Sequence, residues 1–148
     1  MKMTWTELVR DKRVAAEPTS KGELEELCEM VAINLKDAKV PGVSAQGRYE
    51  FAYNAARLSA TIVVRACGYR VISKGGHHYY TFQALEASDP GFAKVAVYFD
   101  TARSKRNDFS YDTPVAISDT EAADLVRSVI QFRNDVEAWI KRRNPALT

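Results

Sequence analysis

The stretch from about Ala45 to Tyr69 constrains the fold more than any other part of the chain. Phe51, Ala55, Leu58, Ile62, Ala66 and Tyr69 recur at steps of three and four, which places them on one stripe of an α-helix. Ala52, Ala56, Ser59 and Val63 form a second stripe of apolar or small residues. A helix with one apolar stripe lies on a surface, whereas two stripes predict a central helix contacted from both sides. Such a helix needs other helices around it, and the same periodicity supplies them.

Ser20 and Glu23 have capping-box spacing, and Leu24, Leu27, Val31, Leu35 and Ala38 follow on one face until Pro41-Gly42 closes the helix. Gly75-Gly76 precedes a short helix from about His77 to Glu86 carrying Tyr79, Phe82 and Leu85. Asp89-Pro90 reads as an N-cap with proline at the first helical position, and Phe92, Val95, Ala96, Phe99 and Ala102 mark a helix to about Asn107. Beyond a loop holding Pro114, Ser118 and Glu121 cap a last helix with Leu125, Val129, Phe132, Val136 and Ile140 inward, which stops before Pro145. Thr4 and Glu7 have the spacing to start a short helix, ended by the Glu17-Pro18 step. Ile62-Val63-Val64 and Val95-Ala96-Val97-Tyr98-Phe99 have strand-like composition, but each lies in a helical frame. The expectation is an all-α, up-and-down bundle of about five helices. It forms a single domain over residues 1–148, with 1–18 as a short N-terminal extension.

Composition narrows function without naming it. Hydrophobic residues make up 46% and charged residues 27%, which excludes disorder as the main state. Twenty-one Lys and Arg against nineteen Asp and Glu leave a formal charge of +2, too small for nucleic-acid binding by bulk electrostatics. No apolar run approaches the ~18 residues of a membrane span, and the opening Met-Lys-Met-Thr-Trp turns charged at once, so no leader and a cytoplasmic setting are expected. Cys28 and Cys67 offer neither a disulfide framework nor zinc-ligand spacing and are expected to be buried, unreactive core thiols.

Two polar clusters are left over from helical packing. One runs from Gly68-Tyr69-Arg70 to His77-His78-Tyr79-Tyr80 and holds both histidines of the chain. The other is Arg103-Ser104-Lys105-Arg106-Asn107-Asp108-Phe109-Ser110-Tyr111-Asp112. Arg70, Arg103 and Arg106 have the guanidinium geometry that clamps phosphate, and Arg103 and Arg106 share a helical face. Lys105 adds charge, histidine exchanges protons near neutral pH, and Tyr79, Tyr80 or Tyr111 offers a ring for an unpaired base. Each cluster also has an ordinary structural reading: the histidines as packed or surface residues, and the arginines as partners of Asp100, Asp108 and Asp112. Adjacent histidines on a helix point about 100° apart, so neither a metal nor another cofactor is expected.

With these residues in view the chain resembles a small stand-alone HEPN-domain protein (higher eukaryotes and prokaryotes nucleotide-binding). The resemblance rests on Arg48-Tyr49-Glu50-Phe51-Ala52-Tyr53-Asn54-Ala55-Ala56-Arg57-Leu58, on Gly68-Tyr69-Arg70 followed by Gly76-His77-His78, and on Ala102-Arg103-Ser104-Lys105-Arg106-Asn107 ending in Tyr111-Asp112. The helix order corresponds over about residues 20–143. The resemblance implies a helical bundle, often a homodimer, found in toxin–antitoxin or defence systems beside a small nucleotidyltransferase. Many relatives are metal-independent ribonucleases whose motif is Arg, then Asn, Asp or His, and a His after four to six intervening residues. Arg106-Asn107 falls at the matching place, but Tyr111 stands where that pattern has His. Tyrosine, with a pKa of about 10, is a poor base at neutral pH.

Two classes of function follow. In the first, Arg106, Asn107 and Tyr111 form a catalytic site to which His77 or His78 contributes, with Arg70, Arg103, Lys105 and Tyr79 binding RNA. In the second, the chain is a catalytically inactive module that dimerises or docks a nucleotidyltransferase.

Overall fold

Side-chain caps set where the bundle's helices begin. The computed structural model describes residues 2–109 and 116–148. Thr4 opens α1 (Trp5–Arg10) with a reciprocal capping box to Glu7. Ser20 opens α2 (Lys21–Ala38), Ser44 opens α3 (Ala45–Ala66), and Ser118 with Glu121 opens α6 (Asp119–Arg143). Each hydroxyl accepts an N–H that the first helical turn leaves without a partner. α4 (His77–Ser88) starts instead from Gly76, whose φ of 65° lies in the left-handed region open to glycine. The Asp89 carboxylate accepts the Gly91 N–H at 2.7 Å and leads through a 3₁₀ turn at Pro90–Phe92 into α5 (Ala93–Phe109).

The all-α expectation holds, with six α-helices among the described residues. α3 is the central element, packed against α2 on one side and α6 on the other. Ala52, Ala55, Ala56 and Ala60 are completely buried, and their small side chains let the neighbouring helices approach closely. Phe82 of α4, Phe99 of α5 and Phe132 of α6 then form a chain of ring contacts, with centroids 6.0 and 5.2 Å apart. Ion pairs hold the start of α6: Arg48 of α3 meets Asp119 at 2.5 Å, and Lys105 of α5 pairs with Glu121. No helix among the described residues is long and apolar enough to cross a membrane.

The structure corrects three expectations. First, two short strands, β1 (Val14–Ala16) and β2 (Tyr69–Val71), pair antiparallel with Val14 opposite Val71 and Ala16 opposite Tyr69. Three residues are too few for alternation to show in sequence. Second, α3 ends at Ala66 rather than Tyr69, because Gly68 takes a φ of +87° and turns the chain into β2. Tyr69 there stacks on Trp5 with centroids 4.1 Å apart. Third, Cys28 is exposed and Cys67 only half-buried; Cys28 lies at the edge of the α2 stripe rather than on it. The N-terminal extension is part of the packed fold, since Leu8 and Val14 are buried against Val64 and Ala84.

One buried arginine ties these pieces together. Arg65, 2% exposed near the end of α3, donates from Nη1 to the Glu17 and Tyr69 carbonyls, from Nη2 to the Pro18 carbonyl, and from Nε to Glu23 Oε1 at 2.6 Å. A guanidinium, with five donors in a planar fork, can tie a strand, a loop and a second helix to its own at once. Arg65→Met leaves those acceptors unpaired and is expected to cost about 3 kcal/mol in urea unfolding, whereas Arg70→Ala at the exposed rim should cost under about 1 kcal/mol. Equal losses for the two variants would contradict this role of Arg65.

Candidate functional site

Glu50, Tyr53 and Arg57 follow one another at three and four residues, so α3 presents them on one face. The first turn of α4 and the second half of α5 close over that face. Tyr53 is completely buried, and its hydroxyl lies 3.0 Å from His78 Nδ1. The Arg106 guanidinium sits 5.1 Å above the Tyr53 ring and donates through Nε to Glu50 Oε1 at 2.7 Å. One turn earlier, Arg103 lies 5.5 Å over the Tyr79 ring and donates through Nε to Asp100 at 2.7 Å. Arg57 is half-buried, and its Nε has no hydrogen-bond partner among the described residues.

Among the described residues the charges of this cluster do not balance. Arg57, Arg103 and Arg106 bring three positive charges, and the carboxylates bonded to them are Glu50 and Asp100. Burial and the nearby Arg57, Arg106, His77 and Arg103 push the His78 pKa down to about 4, so the imidazole is neutral at physiological pH. Burial pushes Tyr53 up to about 12 against the opposing pull of Arg106, Arg57 and Arg103. Tyr53 therefore keeps its proton, and a buried hydroxyl needs an acceptor. The arrangement that satisfies it has the O–H donating to His78 Nδ1, leaving the imidazole proton on Nε2. Burial also lowers the Arg57 pKa, with Arg106 adding to the effect.

The residues singled out in the sequence divide. His78, Arg103, Arg106 and Tyr79 come together in this cluster. Asn107 is half-buried on α5, one residue beyond Arg106. His77 stands exposed at its rim, its ring 6.2 Å from that of His78 and its Nδ1 3.3 Å from the Ser73 carbonyl. Lys105 turns to Glu121 at the start of α6. Arg70 lies elsewhere, bound to Glu17 and Glu23 beside Arg65. Arg65 is about 18 Å along α3 from Tyr53, at 1.5 Å per residue. Tyr111 lies outside the described residues. Asp100 is the arginine partner the sequence suggests, and Arg103 is bound to it. The sequence reading did not single out Glu50, Tyr53 or Arg57, and the available signal was a third face of α3, polar and spaced like the apolar ones.

The chain belongs to the HEPN family: the model of the SAV_6107-like HEPN family matches residues 42–137. That span runs from the start of α3 into α6 and contains every described residue of the cluster. No curated protein and no solved structure matches the chain significantly.

His78 links this geometry to stability. Its pKa is lower in the fold than the 6.5 of a free histidine, so between the two values the unfolded chain holds the extra proton. The stability contribution is full above pH 6.5 and is lost as pH falls toward about 4. For this partly exposed group the loss is about 2 kcal/mol. Urea unfolding of wild type and His78→Gln across that interval should show a steeper acid loss in wild type. Parallel curves would contradict the depressed pKa.

Proposed function

We propose that this chain binds RNA or a nucleotide by seating a phosphate among Arg57, Arg103 and Arg106, beside His78. The observation that carries the reading is the excess of half-buried cation among the described residues, with the Arg57 Nε left unpartnered there next to a half-buried neutral imidazole. A phosphodiester supplies the missing negative charge and accepts charge-assisted hydrogen bonds from guanidiniums. Its arrival offsets the field of the three arginines and moves His78 back toward the ordinary histidine range, where it exchanges protons near neutral pH. Tyr79, under Arg103, offers a face for an unpaired base.

In its active form the site would cleave RNA without a metal. A 2′-hydroxyl loses its proton and attacks the adjacent phosphorus, the bond to the 5′-oxygen breaks, and that oxygen takes a proton. The products are a 2′,3′-cyclic phosphate and a 5′-hydroxyl. The arginines stabilise the charge that builds on the phosphorane; His77 at the rim takes the 2′-hydroxyl proton, and His78, protonated once the phosphate is bound, donates from Nε2 to the leaving 5′-oxygen. Asn107 and Tyr111 follow Arg106 at the positions of the motif implied by the family resemblance, with Tyr111 in place of its histidine. The same reading places the chain in a toxin–antitoxin or defence setting, as a cytoplasmic homodimer beside a nucleotidyltransferase antitoxin.

A second reading has a specific observation behind it. Arg103, Lys105 and Arg106 are each engaged in an internal ion pair, and Tyr111 replaces the histidine of the motif. These features suit an inactive module whose helices dimerise or dock a nucleotidyltransferase.

Binding of a labelled single-stranded RNA, and its cleavage in the presence of EDTA, distinguish the two. For wild type we expect binding, with Arg57→Met and Arg106→Ala each weakening it about tenfold or more, the size of a lost hydrogen bond to a charged group. Affinity unchanged by both substitutions would remove the phosphate site. Binding that depends on both arginines, without cleavage by wild type, would leave recognition and remove catalysis.

A further inference from the structure

On the other side of α3 from Tyr53, a small cavity of about 150 Å³ lies between α2, α3 and α6. Val31, Ile62, Val136 and Ile140 give it apolar walls. Ser59 and Arg133 also line it, and both carry an orphaned polar atom. The Ser59 hydroxyl, on a residue 1% exposed, and the Arg133 Nε are buried without a hydrogen-bond partner among the described residues. A buried hydroxyl and a buried guanidinium N–H are each costly to leave unpaired. Both line the same cavity, so one molecule within it can accept from both. Cys28 and Glu137 also line it, and both are exposed, which places them at its solvent side.

We propose that this cavity binds a short aliphatic monocarboxylate. Its carboxylate would accept from Arg133 Nε–H and the Ser59 hydroxyl, and its alkyl chain would lie against Val31, Ile62, Val136 and Ile140. The volume sets the size: a cavity of about 150 Å³ holds a ligand of roughly six heavy atoms, which is that of butyrate. Arg133 selects an anion over a neutral isostere. Glu137, solvent-facing at the mouth, disfavours a second carboxylate and so limits the ligand to one. This site is separate from the phosphate cluster and does not rest on it.

Cys28 provides the readout, because it lines the cavity and a ligand there covers part of its surface. Alkylation by iodoacetamide, followed at the Cys28 peptide by mass spectrometry, should slow as sodium butyrate is raised through the millimolar range. The expected slowing is partial, because Cys28 stays exposed at the solvent side, and it saturates with butyrate, half complete at about Kd. Butyramide, of the same shape without the charge, should protect weakly. Arg133→Met should lose protection by butyrate, and so should Ser59→Val, which removes the hydroxyl and takes up cavity space while leaving Arg133 in place. Circular dichroism establishes that both variants fold. Should butyrate fail to protect wild type, should butyramide protect equally, or should both folded variants retain full protection, the proposal is overturned and the cavity holds water alone.

Discussion

A single helix buried on two sides must also hold every charged group that cannot leave it. α3 carries completely buried alanines and packs against α2 and α6, and such packing leaves little room for long polar side chains on the faces that meet those helices. Its ionisable residues are consequently confined to faces where a partner element arrives. Arg65 at one end is satisfied by four backbone and carboxylate acceptors that belong to β2, α2 and the N-terminal segment. Glu50, Tyr53 and Arg57 toward the other end meet α4 and α5. One end of the helix is therefore electrostatically closed and the other is not.

That asymmetry separates a structural arginine from candidate functional ones. Around Arg65 the acceptors match the donors, and its charge is neutralised by Glu17 and Glu23. Around His78, among the described residues, three guanidiniums meet two carboxylates, a guanidinium nitrogen lacks a partner, and an imidazole is held neutral. A cluster with surplus positive charge in partly desolvated surroundings costs stability unless an anion offsets it, and perturbed groups of this kind concentrate at functional sites. The family match covers the elements that build this end of α3.

The helical architecture was legible because five stripes of apolar residues ran long enough to show a period, and because serine caps and Pro or Gly stops bracketed them. β1 and β2 were not, since three-residue strands carry no period and their pairing depends on a left-handed Gly68. The cluster was legible in part. Arg103, Arg106 and His78 stood out as polar residues unexplained by packing, but Arg70 was grouped with the histidines through nearness in sequence alone. It lies instead with Glu17 and Glu23, because β2 carries it away from α4. Tyr53 and Arg57 escaped notice because an aromatic or arginine at helical spacing reads as ordinary core or surface. Only the arrival of α4 and α5 gives them a common target.

The most direct measurement is the NMR titration of the His78 ring, assigned by comparison with His77→Gln, in the free protein and with a 2′-O-methyl dinucleotide that cannot be cleaved. The account predicts a pKa of about 4 in the free protein and a clear rise when the phosphodiester is bound. A free value near the ordinary 6.5, or one that saturating dinucleotide leaves unmoved, would contradict it.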